Sequence, residues 1–321
     1  MDGDSACLVS HGYEKVKDVH SVVINDKTPL EGIWVPLVTP FKHGELDLDA
    51  LKTLTQRMVN YGVHGLVVCS TTGEMGSLRL DEQLQIIRTV QQVTHKKMPI
   101  LIGLLGTDTR ALVHQAQLLD SLNPFGFLIA PPSFIRPSQE GLFAHFSALA
   151  DAISSSIVLY NIPARAGVPI HLETVQRLAN NPTFIGIKES SGNSETLYRT
   201  IKETNLRVMC GDDSLILDGL LHGAAGAISA SAHIHTESFL RLYELAKQQK
   251  CREASQQFAH LETLIHLLFK EPNPAPVKTL LGHQGLIYPE LRLPMTDVTP
   301  ALKKELIQAF SLSETVLIQA A

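Results

Sequence analysis

From about residue 30 onward, short apolar, β-branched runs alternate with stretches whose apolar positions recur every three or four residues. The runs are "IWVPLVT" from Ile33, "GLVVCS" from Gly65, "PILIGLL" from Pro99, "FGFLIA" from Phe125, "SIVLYN" from Ser156, "FIGIKES" from Phe184, "RVMCGD" from Arg207 and "GAISAS" from Gly226. Near-continuous apolarity predicts strands buried on both faces, as in a parallel sheet covered by helices. Between the first two, "LDALKTLTQRMVNYG" sets Leu48, Leu51, Leu54, Met58 and Tyr61 along one helical stripe. Eight strand–helix units within about 210 residues fit an α/β fold of the closed (β/α)8 TIM-barrel type. The alternative is an open, doubly wound sheet, which usually carries a Gly-rich turn after its first strand. Here "TPFKHGELDLD" follows, and no G-x-G-x-x-G occurs. Past the eighth run, "SQQFAHLETLIHLLF" aligns Phe258, Leu261, Ile265 and Leu268 on one helical face. "EPNPAP" then breaks the pattern with three prolines, and "PALKKELIQAF" reads as a last helix. The expected layout is a loosely ordered extension over 1–30, the barrel over 31–235, and the last barrel helix with a helical appendage over 236–321.

Composition narrows the function classes. The chain has 321 residues, 44% hydrophobic and 18% charged, with net charge −5, so it can bury an ample core and presents no basic footprint for nucleic acid. No apolar run approaches the roughly 20 residues needed to cross a bilayer. The cysteines, Cys7, Cys69, Cys210 and Cys251, are scattered without a C-x-x-C and read as reduced thiols. The first 30 residues lack both an apolar h-region and arginine, which argues against a secretory or transit signal and for a cytoplasmic location.

The chemistry gathers where a barrel would put it, at the C-terminal ends of the strands. There lie Thr71, Thr72, Gly73 and Glu74; Tyr160 and Asn161, with Arg165 just beyond; Lys188, Glu189 and Ser190; and Gly211, Asp212 and Asp213. A lysine at the mouth of a buried strand is either a snorkelling side chain or a reactive amine. Desolvation favours the free amine over the ammonium, and a free amine can condense with a ketone to an imine that serves as an electron sink. Strand alternation turns Glu189 to the opposite side, so it is not the partner of Lys188. Tyr160, one strand earlier, is placed to relay protons or is an ordinary hydrogen-bonded core phenol. "STTGE" offers hydroxyls and successive N–H groups to a small carboxylate, or is a plain capped turn. The Arg165 fork, in the shaped loop "NIPARAG", matches a second carboxylate. "HIH" at residues 233–235 is weak metal evidence, and no H-E-x-x-H, G-x-S-x-G or P-loop occurs.

From about Gly32 to its end the chain resembles the pyruvate-dependent class I aldolase superfamily of dihydrodipicolinate synthases and N-acetylneuraminate lyases. The matching pieces are "VTPF", "STTGE", "RPSQEGLFAHF", "LYNIPARAG", "IGIKESSGN", "CGDD", "LFKEPNPAPVK" and "LRLPMT". "YNIP" with "IKES" marks the superfamily; Arg165 and "EPNPAPVK" point to its dihydrodipicolinate synthase branch. The resemblance implies a Schiff base between Lys188 and pyruvate, with Thr72 and Thr71 on the pyruvate carboxylate and Thr71 and Tyr160 in a proton relay. It further implies Arg165 on the carboxylate of L-aspartate 4-semialdehyde, Gly211 and Ile228 lining the pocket, no metal or organic cofactor, and a homotetramer of tight dimers. One departure bears on the second half-reaction. The family's relay usually has a second tyrosine, donated across the tight dimer just before "RPSQEG", where this chain has Phe134 after Ser133. Water or Ser133 then substitutes, or the activity is weak, or the aldehyde partner differs. Other 2-keto-acid aldolase activities, or a silent pyruvate-pocket binding protein, are the alternatives.

Overall fold

A computed structural model describes residues 30–320, with side chains described to residue 313. Residues 1–29, almost all of the expected extension, lie outside the described residues. All eight apolar runs form strands: β1 (Gly32–Pro36), β2 (Gly65–Val68), β3 (Ile100–Leu104), β4 (Gly126–Ile129), β5 (Ser156–Asn161), β6 (Phe184–Glu189), β7 (Arg207–Cys210) and β8 (Gly226–Ile228). They close into one barrel, each parallel to both neighbours, with β1 pairing β8 on one side and β2 on the other. The fold is the (β/α)8 barrel. β8 is shorter than its sequence run because the Asp213 carboxylate accepts from the Ser231 N–H at 2.8 Å and draws the chain out of the ladder.

Helices α1 (Leu48–Tyr61), α2 (Leu80–Val93), α3 (Thr109–Asp120), α4 (Gln139–Ala152), α5 (Leu172–Leu178), α6 (Ser194–Glu203), α7 (Ile216–Leu221) and α8 (Thr236–Lys247) follow the strands in turn. In α1 the Asp47 carboxylate caps the Ala50 N–H at 3.0 Å, and Gly62 ends the helix with φ 76, a left-handed turn that glycine adopts without strain. Leu51, Leu54 and Met58 of the expected stripe are buried against the barrel.

Strand alternation sorts the side chains into two cores. Ile33, Val35, Leu159 and Ile187 face outward under the helices. Trp34, Val67, Leu101, Leu128, Val158, Tyr160, Met209 and Ile228 pack inside the ring, with Leu30 among them. After β8 come α9 (Cys251–Leu268), α10 (Ala275–His283) and α11 (Pro300–Ala320). Pro276 falls in the first turn of α10, where a missing N–H costs no helical hydrogen bond. No helix among the described residues is long and apolar enough to cross a membrane.

Candidate active site

Lys188 owes its place to period two. Ile187 and Glu189 face outward, so Lys188 and Gly186 face into the barrel, and Lys188 sits one residue from the upper end of β6. It pairs in register with Tyr160 on β5 and Met209 on β7. Only 6% of the lysine is exposed. Its Nζ lies 3.3 Å from the Tyr160 Oη and 4.4 Å from the centre of that ring.

The contrast with the other lysine buried among the described residues is informative. Lys278, fully buried, is ion-paired to the equally buried Glu74. Lys188 makes no carboxylate contact within ion-pair distance among the described residues; a phenol is its polar partner. Lys188 thus presents its amine to a phenol and not to a carboxylate, the contact a nucleophilic lysine needs left open. Asp212 and Asp213 feel the charge of Lys188 from farther off, and burial nevertheless holds both carboxyls above the usual range. Glu189 faces away, accepting from Asn161 Nδ2 at 2.8 Å and from the Ser191 N–H at 2.9 Å. Burial raises its carboxyl too, against these bonds.

Gly211 is required by close approach. A Cβ there would lie 1.9 Å from Ser190 Oγ and 2.6 Å from Lys188 Cε. Ile228 packs with Tyr160 and Met209 inside the ring. Gly211 thus stands beside the lysine, and Ile228 lies on the same inner face of the ring.

Above them opens a cavity of about 420 Å³ whose wall includes Thr71, Tyr160, Arg165, Ser133 and Asn273. Lys188 is not on that wall, but its Nζ meets the hydroxyl of Tyr160, which is. The Thr71 hydroxyl and that phenol share this wall without a direct hydrogen bond. Thr72 is buried, and its Oγ1 accepts from Asn273 Nδ2 at 3.0 Å, which leaves the single hydroxyl hydrogen of Thr72 to donate. The N–H groups of Thr71 and Thr72 find no backbone acceptor among the described residues. Two N–H groups and a hydroxyl in one tight turn can hold a small carboxylate.

Two arginines line the cavity, and only one is available. Arg292 is committed to Glu82 at 2.6 Å and to the Gly44 and Ser77 carbonyls. Arg165, exposed on the turn Pro163–Ala166, makes one long bond of 3.4 Å to the Asn273 carbonyl. Its fork is open to a carboxylate entering from solvent.

This geometry matches one family along most of the chain. The model of the dihydrodipicolinate synthetase family covers residues 29–312. The chain belongs to that family. It is 34% identical over 280 residues to 4-hydroxy-tetrahydrodipicolinate synthase 2 of Clostridium acetobutylicum, covering 86% of this chain and 98% of that one. The solved 4-hydroxy-tetrahydrodipicolinate synthase of Methylacidiphilum fumariolicum SolV superposes with a TM-score of 0.88 at 33% identity, over 90% of this chain and 98% of that one. The Acinetobacter baumannii dihydrodipicolinate synthase, solved complexed with pyruvate, gives 0.87 at 31% identity over 89% of this chain and 99% of that one.

Against the family pattern, Phe134 stands out. It is 92% exposed with φ 73, a left-handed backbone that a bulky residue adopts only under constraint, while Ser133 beside it joins the cavity wall. Asn273 is a site residue that the sequence reading quoted only as part of a motif; its Oδ1 is buried without a partner. Its proximity to Thr72, 201 positions away, has no sequence signal beyond the motif itself.

Behind the turn, His233 props the site. A carbonyl can only accept and an amide N–H only donate, so its Nδ1 carries the proton to the Ala230 oxygen (2.8 Å) and Nε2 accepts from the Val38 N–H (3.2 Å). Next to Val38, Thr39 donates to the Gly73 carbonyl at 2.7 Å. Burial lowers the His233 pKa to about 4. Between that value and about 6.5, where an unfolded imidazole titrates, the unfolded chain binds the extra proton, so stability falls as pH falls through this window. The His233 contribution is about 3 kcal/mol, complete above the upper limit. Buried Glu189, Asp212 and Asp213 act in the opposite sense. The check is therefore a difference: thermal denaturation of wild type and His233→Gln from pH 7.5 to about 4, with the variant expected to lose less stability across that range.

Proposed function

We propose that this chain is a Schiff-base lyase that condenses pyruvate with L-aspartate 4-semialdehyde to 4-hydroxy-tetrahydrodipicolinate, a step of lysine and diaminopimelate biosynthesis. The observation that carries the reading is the Lys188 amine, held out of water at the barrel mouth with a phenol and no carboxylate as its polar contact. The amine adds to the pyruvate C2 carbonyl, and one water leaves as the iminium forms. The carboxylate of pyruvate sits on the Thr71–Thr72 turn. Tyr160 supplies the proton for water loss and takes part in the transfer from the methyl group that gives the enamine. The enamine carbon then forms a bond to the aldehyde carbon of the second substrate, whose carboxylate Arg165 holds. Attack of that substrate's own amine on C2 closes the ring and frees Lys188. No organic cofactor has a part in this sequence, and among the described residues no three His, Cys, Asp or Glu converge as a metal site.

We place the enzyme in the cytoplasm as a homotetramer of tight dimers; the exposed Phe134, where the family donates its second relay tyrosine, supports a partner surface there. The experiment is an acceptor panel. Pyruvate consumption with L-aspartate 4-semialdehyde is measured against cleavage of 4-hydroxy-2-oxoglutarate, keto-deoxy sugar acids and N-acetylneuraminate. The semialdehyde is expected to lead by about 10²-fold or more in kcat/KM, with Arg165→Ala lowering that lead through a raised semialdehyde KM. A preference for any cleavage substrate reassigns the acceptor.

A further inference from the structure

The buried ion pair of Lys278 and Glu74 joins α10 of the appendage to the turn that follows β2. Glu74 is the last residue of "STTGE", and its backbone is left-handed at φ 54, so it holds its shape only because its surroundings impose it. Both carboxylate oxygens are used: Lys278 bonds Oε1, and the Arg292 N–H donates to Oε2 at 3.0 Å. Lys278 also donates to the Glu290 carbonyl at 2.7 Å and lies 4.4 Å from the centre of the Phe41 ring. Burial pulls the Lys278 pKa down against the attraction of Glu74. An ion pair this deep adds little stability over an apolar pair of the same shape. What it does fix is a position. The turn running back from Glu74 carries Thr72, itself bonded to Asn273 of the same C-terminal segment, and Gly73, bonded to Thr39.

We infer that Lys278 and Glu74 are positioning residues for capture of the keto acid: the pair sets the turn so that the free N–H groups and the Thr72 hydroxyl face the keto acid's carboxylate. The catalytic barrel is then incomplete without a residue some two hundred positions downstream of the turn. This inference rests on the reading of Lys188 as the capturing amine.

The test compares full-length wild type, Glu74→Gln, Lys278→Met and the double variant, each at a temperature where circular dichroism shows it folded. Two quantities are read: the rate at which pyruvate plus borohydride adds mass to the protein, and KM for each substrate. A displaced carboxylate site is expected to slow capture about 10²-fold in all three variants and to raise the pyruvate KM, leaving the semialdehyde KM within about twofold. The double variant, with no charge left buried alone, is expected to melt above Lys278→Met without recovering capture. A folded variant that captures pyruvate within about threefold of wild type, or a double variant that regains capture along with its stability, overturns the positioning role. Wild type that fails to gain mass strikes the lysine reading instead, so the two failures are distinct.

Discussion

Lys188→Met is expected to leave a folded barrel that gains no mass from pyruvate and borohydride and turns over at least about 10⁴-fold more slowly than wild type. Methionine keeps the side chain out to Cε and removes the amine, so the packing of the stem beside Gly211 survives. It also removes a buried group with no charged partner, so thermal stability should hold or rise. Among the described residues, the one other buried lysine is not available to stand in. Lys278, the other buried one, is held by Glu74, the Glu290 carbonyl and the Phe41 ring. Mass spectrometry of the intact protein before and after reduction decides the matter. An adduct that persists in Lys188→Met would place the covalent chemistry elsewhere and remove the basis of the assignment.

Tyr160→Phe separates proton transfer from packing. The ring belongs to the inner core with Leu128, Val158 and Ile228, and phenylalanine keeps those contacts. What is lost is one hydroxyl, 3.3 Å from the Lys188 amine. Loss of a positioned acid–base group lowers rates by about 10²–10⁴-fold. The fall is expected in kcat, with little change in the pyruvate KM, because the proposed mechanism puts the carboxylate on the Thr71–Thr72 turn and not on the phenol. Trapped adduct should still form, slowly. A variant as fast as wild type would assign the relay to Thr71 or Ser133, both on the cavity wall, or to water.

The two cores explain why the barrel was legible before any coordinates. An inner and an outer apolar face on every strand produce near-continuous hydrophobic runs, and that signal survives without knowledge of neighbours. The same period of two placed Lys188 inward and Glu189 outward, where it meets Asn161. Strand ends were harder. "GAISAS" reads as six residues of strand, but β8 stops at Ile228 because Asp213, from another loop, takes the Ser231 N–H. A competitor for one hydrogen bond is invisible to a local pattern.

The motifs "STTGE", "YNIP" and "IKES" brought Thr71, Thr72, Tyr160 and Lys188 into view, since each is a local stretch at a strand end. "NIPARAG" singled out Arg165, but whether its fork is free could not be read that way. Only the fold brings a second arginine, Arg292, to the same cavity, commits it to Glu82 and leaves the Arg165 fork open. The contact of Lys188 with Tyr160, the proton left to Thr72 by Asn273, and the bond that fixes the His233 tautomer against Val38 are likewise contacts between distant segments. Sequence by itself determined the alternation of apolar strands and helices, and with it the barrel and the rim where chemistry collects, because periodicity and strand ends are properties of neighbouring residues. The tertiary structure alone decided which polar groups are already paired and which are left to act, because pairing depends on the distance between residues that the chain brings together only when it closes.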